Sequence, residues 1–213
     1  SVLKRRSVTS VWKKLTMMKP NESSPDKDFI LASGSPQRRR LLEQIGYTPK
    51  DIHPADIDEQ VLKGETPLRY IRRIARAKAL AVAAVFPEEN ILSADTVIVA
   101  GQKIIQKSAD AEAQTNVMRL LSGRTHRVIT SVCLISKTGR ISQRTVTTKI
   151  AMKHLTESEI TDYIASGEWV GVAGYKIEGM LAGYVKKIIG SYSGVIGLPL
   201  NKNKNMLNGI GIN

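Results

Sequence analysis

Apolar residues recur along this chain with two different periods, and the change of period divides it into strands and helices. Continuous apolar or alternating β-branched runs predict strands at 29–33, 90–99, 126–135 and 142–152, the last two paired through a turn at 137–140. Apolar residues at helical spacing predict helices at 37–45, 66–85, 109–121 and 157–165. Strands and helices alternate without a repeat, which favours an α/β fold.

The helix predicted over 66–85 has one apolar and one basic face. The apolar stripe, which we expect to face the core, consists of Leu68, Ile71, Ala75, Ala79 and Val82. The opposite face, which we expect to be solvated, carries Arg69, Arg72, Arg73, Arg76 and Lys78. These arginines offer a surface for an anionic partner.

The segment 30–46 joins a buried strand to a helix through small residues. Ser35 is suited to cap this helix and Pro36 to its first position. Free backbone N–H groups and the helix dipole make such a junction an anion site, although an ordinary capped helix with a solvated face fits the segment equally well. Three adjacent arginines, 38 to 40, fan out by about 100° each, so at most one or two can face one ligand. A bound phosphate would offset their repulsion.

Asp95 interrupts an otherwise apolar strand, where an unpaired carboxylate is costly. With Lys107 twelve residues later it suggests either a metal and phosphate site or half of a structural ion pair. The acidic run 56–59 adds carboxylates that suggest a metal in so basic a protein, or form a solvated turn. The three histidines, at 53, 126 and 154, lack zinc-ligand spacing.

Composition makes the chain globular and basic, with 42% hydrophobic residues and a formal charge of +13. Residues 1–27 carry +5 of that charge, and we interpret them as a solvated basic extension, with a targeting peptide or nucleic-acid arm as the alternative. Residues 28–213 then form the folded domain. The longest apolar run, 79–86, is too short to cross a bilayer, and the single cysteine, Cys133, precludes an internal disulfide. We therefore expect a soluble cytoplasmic protein with no membrane partner.

Four ordered motifs resemble the signatures of one family. They are LASGSP at 31–36 followed by Arg38, SADTV at 93–97, LSGRTH at 121–126 and GSYSGVIGLPL at 190–200. Together, from about residue 29 to 200, they are similar to the Maf family of nucleoside triphosphate pyrophosphatases. The resemblance implies a two-lobed α/β fold, like that of inosine triphosphate pyrophosphatases, with a long mixed sheet and a central cleft. It also implies a homodimer as a common assembly, a nucleoside triphosphate substrate, and Mg²⁺ or Mn²⁺ as cofactor.

The resemblance also implies roles for particular residues. Ser33, Arg38, Lys78 and Lys107 would hold the phosphates, Glu59 and Asp95 would bind the divalent metal, and Asp95 would accept the proton of the attacking water. Such residues supply the charge neutralisation and the base that phosphoryl transfer to water needs.

The positions implied to set base preference give conflicting signals. Thr96 agrees with the dTTP/UTP branch of the family, Glu178 agrees with the methylated-GTP branch, and Gln37 agrees with neither. A glutamate only accepts hydrogen bonds, whereas a glutamine both donates and accepts, so Glu178 would alter which base edge is read. Ser108 stands where the family usually has proline, and we expect it to loosen the loop after Lys107.

Two other functions are compatible with parts of the sequence. The charge and the arginine face suggest a nucleic-acid-binding module, although only 5% of residues are aromatic and no specific nucleic-acid motif is present. The family's historical association with septum formation suggests a non-catalytic regulator of cell division.

Overall fold

The computed structural model describes residues 27–213. The prediction of a basic extension falls on residues that lie outside this range, apart from Lys27. The described strands are β1 (Lys27–Leu31), β2 (Pro49–Ile52), β3 (Ile91–Ala100), β4 (Lys103–Ile105), β5 (Thr125–Ile135), β6 (Ile141–Met152) and β7 (Val185–Ile189). The described helices are α1 (Pro36–Gln44), α2 (Pro67–Val85), α3 (Ala111–Leu121), α4 (Glu157–Ala165), a 3₁₀ helix (Met180–Tyr184), α5 (Tyr192–Ile196) and α6 (Leu200–Asn208).

The strands form one mixed sheet in the order β2-β1-β3-β5-β6-β7. β1 pairs in parallel with β2 and β3, whereas β3, β5, β6 and β7 pair antiparallel in succession. The short β4 pairs antiparallel with the far end of β3. The predicted α/β fold with a long mixed sheet is therefore confirmed.

One edge of β3 is the origin of the cleft. On that edge, β1 pairs with Ile91 and Leu92, and β4 pairs with residues 98–100. Among the described residues no strand pairs with positions 93–97 on this side, so the edge is open in the middle of the strand. The loop that follows β1 and the loop that follows β4 face each other across this gap.

Two groups of helices pack on the two ends of the long strands. α1 and α6 pack against the start of β3 through a cluster that includes Leu42, Leu92 and Leu207. α3 and α4 cover the other end through a cluster that includes Met118, Val128 and Ile160. The two packed ends are the predicted lobes, and the open edge lies between them.

The predicted boundaries hold to within a few residues for the main elements. Ser35 caps α1, with Pro36 in its first turn, and Thr156 and Glu159 form a capping box at α4. The elements without a prediction are β2, β4, β7, α5, α6 and the 3₁₀ helix. They are short or, in α6, rich in asparagine and lysine, so their periodicity is weak.

The prediction for the two faces of α2 is wrong at two positions. Leu68, in the first turn of α2, is 46% exposed. Lys78 is buried and does not share the solvated arginine face.

Cys133 is buried as expected, and burial raises the pKa of its thiol to about 11. Within residues 27–213, no helix combines the length and the hydropathy that a bilayer crossing requires.

Candidate active site

A cavity of about 800 Å³ occupies the gap at the edge of β3. Its lining comes from the loop after β1, the start of α1, the loop before α2, the face of α2, the middle of β3, the loop after β4 and the segment 171–178. The nine residues to which the family resemblance gives a site role all line it, namely Ser33, Gln37, Arg38, Glu59, Lys78, Asp95, Thr96, Lys107 and Glu178. Side chains that are far apart in the sequence therefore share one hollow.

Arg38 joins the first of the four motifs to the last. Its Nη1 donates to Ser33 Oγ at 2.8 Å, and its Nε donates to the carbonyl oxygen of Gly197 at 3.0 Å. Burial lowers the pKa of Arg38, whereas the carboxylates of Asp95 and Glu59 raise it. The guanidinium is thus fixed at the N-terminus of α1 and close enough to both carboxylates to interact with them electrostatically.

Only one of the three consecutive arginines faces the cavity. Arg39 Nε donates to Glu43 Oε1 at 2.7 Å on the surface of α1, and Arg40 is exposed. The expectation that the helix turns most of this run away from a ligand is confirmed.

Lys78 lies between two carboxylates. Its Nζ is 2.7 Å from Asp95 Oδ1 and 2.9 Å from Glu59 Oε1. The side chains of Lys78 and Asp95 are 11% and 12% exposed, whereas that of Glu59 is 47% exposed. The charge of Asp95 within the strand is therefore paired, as its burial requires.

Tyr70 is a cavity residue that sequence reasoning missed. Its hydroxyl donates to the backbone carbonyl of Glu59 at 3.0 Å and so holds the loop that carries this carboxylate. Burial, followed by the charges of Asp95 and Glu59, raises the pKa of Tyr70 to about 12, which keeps the phenol protonated. The signal was available, because Tyr70 precedes Lys78 by two helical turns and shares its face of α2. Lys176, a further cation in the lining, was also missed.

Thr96 lies on the opposite face of β3 from Asp95, as strand alternation requires. Its Oγ1 is 2.9 Å from Thr130 Oγ1 on β5, and Thr130 donates its proton to Gly194 O at 2.6 Å. Thr96 is therefore the donor in its contact with Thr130, which leaves lone pairs of its hydroxyl available as acceptors.

The rest of the acidic run does not join Glu59 in the cavity lining. Asp58 Oδ1 accepts from the backbone N–H of Gln60 at 2.9 Å, and Asp56 is exposed. These two residues form a solvated turn. Of the acidic run, only Glu59 therefore remains a candidate ligand for a metal in this cavity.

Two of the histidines, His53 and His126, pack against aromatic side chains. His53 packs edge-on against Phe86, with ring centroids 5.0 Å apart, and His126 is buried beside Tyr175. Neither lines the cavity.

The cavity offers two carboxylates as ligands for a divalent cation. Within residues 27–213 no group of three or more histidine, cysteine, aspartate or glutamate side chains is arranged so that it could hold a metal ion. Glu59 and Asp95 nevertheless converge on one point, the ammonium of Lys78, and Glu59 is accessible from the cavity. Mg²⁺ is commonly bound by one or two carboxylates plus substrate phosphates and water, and this pair fits that pattern.

Fold and cavity together define a class of protein: an α/β protein whose central cleft gathers cationic side chains around a pair of carboxylates. A family model described as "Maf-like protein" matches residues 28–210. The chain belongs to the Maf family.

Curated relatives cover most of the chain. A dTTP/UTP pyrophosphatase of Paramagnetospirillum magneticum is 48% identical over 184 residues, which are 86% of this chain and 97% of the relative. A dTTP/UTP pyrophosphatase of Caulobacter vibrioides is 45% identical over 184 residues, which are 86% of this chain and 95% of the relative. Among solved structures, the Ham1 protein of Staphylococcus aureus matches 59% of this chain and 72% of its own at 14% identity, with a TM-score of 0.43. The family assignment rests on the sequence matches.

Proposed function

We propose that this chain hydrolyses nucleoside triphosphates to the nucleoside monophosphate and pyrophosphate. The observation that carries the proposal is the convergence of Arg38, Lys78 and Lys107 with two carboxylates on one cavity. A triphosphate carries several negative charges on a short chain, and this arrangement neutralises such a ligand while keeping a base beside it. The curated relatives, named as dTTP/UTP pyrophosphatases, support the same activity.

The reaction needs a water molecule to attack the α-phosphorus. A new bond forms between the water oxygen and this phosphorus, the bond from the α-phosphorus to the oxygen that bridges to the β-phosphate breaks, and pyrophosphate leaves. Asp95 accepts the proton that the water loses. Its carboxylate is held by Lys78 at 2.7 Å, which fixes its position for this task.

The cationic side chains share the phosphate charge. Arg38 is already fixed by Ser33 and Gly197, so it presents its remaining donors without a further loss of side-chain freedom. Lys107 is exposed at the opposite border of the cavity, where it can reach the far end of the phosphate chain.

A divalent cation, Mg²⁺ or Mn²⁺, would be held by Glu59 and Asp95. When bound, it neutralises charge on the phosphates and lowers the pKa of a coordinated water. Lys78, which contacts both carboxylates, lies close enough to this site to offer its ammonium to phosphate oxygens as well.

The names of the relatives make dTTP and UTP the first substrates to test. Gln37, Thr96 and Glu178 would set the preference among bases, and they border the cavity on different sides. A homodimer and a cytoplasmic location remain predictions from the sequence.

The nucleic-acid-binding alternative is not favoured. The exposed arginines of α2, at 69, 72 and 76, do not line the cavity, and Arg73 is engaged with Glu65 at 2.7 Å. Attraction of nucleic acid to such a surface would be generic and would weaken steeply with salt.

Release of pyrophosphate from a panel of canonical and modified triphosphates, with Mg²⁺ or Mn²⁺, tests the proposal. We expect turnover by the wild type and a loss of kcat by a factor of about 10²–10⁴ in Asp95→Asn, because the amide cannot accept the proton. Asp56→Asn, in the solvated acidic turn, is the matched control and should keep full activity. The absence of turnover for every triphosphate, or full activity in Asp95→Asn, would overturn the proposal. Retention of a cell-division effect by Asp95→Asn would instead support a non-catalytic regulator.

A further inference from the structure

Two segments that border the cavity on one side are distant in the sequence. One follows β4 and carries Lys107, and the other is the irregular segment 171–178, which carries Glu178. Lys107 and Ala173 form an isolated antiparallel bridge, which is the one backbone ladder contact found between the two segments in the described structure.

Gln114 bonds to both segments at once. This residue lies on α3 and is fully buried. Its Oε1 accepts from Ser108 Oγ at 2.7 Å, directly beside Lys107, and its Nε2 donates to the carbonyl oxygen of Gly174 at 2.5 Å. A single side-chain amide therefore joins the two segments.

The chemistry of the amide matters, because the two bonds have opposite polarity. Gln114 accepts on one side and donates on the other, which an aliphatic or thioether side chain cannot do. Because Gln114 is buried, leaving its amide without partners would destabilise the folded protein. Breaking either bond would therefore leave a buried polar atom of the amide without a hydrogen-bond partner.

The segment 171–178 has little freedom to move away from this amide. Gly174 has a φ of +73°, and a Cβ added there would lie 2.6 Å from Ile98 Cδ1 on β3. Tyr175, the next residue, is buried, with its hydroxyl hydrogen-bonded to His126 Nε2. The bond to Gln114 therefore lies four residues before Glu178, within the same irregular segment.

We propose that Gln114 is a positioning residue that couples the phosphate end of the cavity, at Lys107, to the specificity end, at Glu178. The proposal rests on the proposed function for the assignment of these two ends. Ser108 is part of the coupling: its hydroxyl gives the loop a hydrogen bond in place of the rigidity of the proline expected there. The expectation that Ser108 loosens the loop is therefore replaced by a specific bond that holds it.

Three variants separate the two bonds from general packing. Ser108→Ala removes only the bond on the Lys107 side. Gln114→Met has nearly the same shape and removes both bonds. Met118→Ala, on the same helix and fully buried, loses packing but breaks neither bond.

Steady-state kinetics on dTTP and on dGTP give the first readout. For Ser108→Ala we expect KM to rise by a factor of about 3–10 on both substrates, with an unchanged ratio of their kcat/KM values, because only the phosphate end is released. For Gln114→Met we expect KM to rise at least tenfold and the ratio of kcat/KM for dTTP to that for dGTP to change about threefold or more, because Glu178 is released as well. Met118→Ala should keep the ratio within twofold.

Amide hydrogen exchange gives a second readout that needs no turnover. In Gln114→Met, exchange should accelerate in both 104–110 and 171–178, whereas in Ser108→Ala it should accelerate in 104–110 alone. An unchanged KM and an unchanged ratio in Gln114→Met, or faster exchange in one segment only, would overturn the inference. If Gln114→Met does not fold, Gln114→Leu, which also removes both bonds, takes its place in the same two measurements. An inactive wild type would refute the proposed function, while the exchange pattern would still report on the link through Gln114.

Discussion

At the scale of single residues, Lys78 contributes most to the site. One buried ammonium contacts both Asp95 and Glu59, so the carboxylates keep their charges close together without strong mutual repulsion. Helical periodicity placed this lysine on a solvated face, whereas the resemblance to the Maf family gave it a phosphate-binding role. The structure shows why the first inference was wrong: the face of α2 turns inward where the edge of β3 is open.

The side chain of Glu178 leads to a prediction about base preference. Thymine and uracil present an N–H donor beside a carbonyl acceptor, so a glutamine can satisfy both groups and a glutamate only the first. We expect Glu178→Gln to raise kcat/KM for dTTP and UTP about fivefold or more, relative to wild type, with little change for purine triphosphates. Competition assays with paired substrates measure this ratio.

Glu168→Gln is the control for Glu178→Gln. Glu168 accepts from the backbone N–H of Met180 at 2.8 Å and does not line the cavity, and its amide form keeps an accepting oxygen. An equal effect of the two substitutions, or none from Glu178→Gln, would count against a role of Glu178 in reading the base.

At the scale of secondary-structure elements, the site depends on a strand that is paired at both ends and open in its middle. The strand prediction at 90–99 located Asp95 and Thr96 but not the missing partner between β1 and β4. Strand pairing is non-local, so the pattern within β3 cannot reveal which of its edges is covered. The short β4 and the irregular segment 171–178 complete the site. Neither segment is long or regular enough to show a hydrophobic periodicity from which its structure could be predicted.

The glycine at 174 tests how closely that irregular segment must approach β3. Gly174 and Gly139 both have positive φ, +73° and +80°, but only Gly174 has a neighbour where a Cβ would be placed. We expect Gly174→Ala to lower the free energy of unfolding by about 1–3 kcal/mol more than Gly139→Ala, because it adds a clash with Ile98 to the shared backbone strain. Urea denaturation of both variants measures the difference.

Gly174→Ala should also raise KM, because the segment that carries Glu178 is displaced. Gly139, in the turn between β5 and β6, should tolerate alanine without loss of activity. Equal losses of stability in the two variants would mean that the close approach to Ile98 contributes nothing.

At the scale of the whole molecule, titration of a buried group links pH to stability. Burial lowers the pKa of His126 from 6.5 to about 4, so the folded protein keeps this imidazole neutral while the unfolded chain protonates it. Between these values the unfolded state binds more protons, and stability therefore falls as the pH is lowered through this window. The loss from this group reaches about 3 kcal/mol at pH 4.

The variant His126→Gln isolates that contribution. Its side-chain amide can donate to or accept from the Tyr175 hydroxyl, but it has no group that titrates in this range. Denaturant unfolding at several pH values should show a shallower decline for His126→Gln than for the wild type between pH 6.5 and 4. Parallel curves would show that His126 does not cause the acid sensitivity.

The sequence by itself determined the main strands and helices, the capped junction at Ser35 and nine of the side chains that line the cavity. Those features depend on local periodicity, on capping chemistry or on motifs that occur in a fixed order, all of which can be read along one chain. Only the tertiary structure decided that Lys78 faces inward, that Asp56 and Asp58 stay outside and that Gln114 joins Ser108 to Gly174. These depend on which strand edge stays unpaired and on contacts between segments up to 60 residues apart, and no local pattern encodes them.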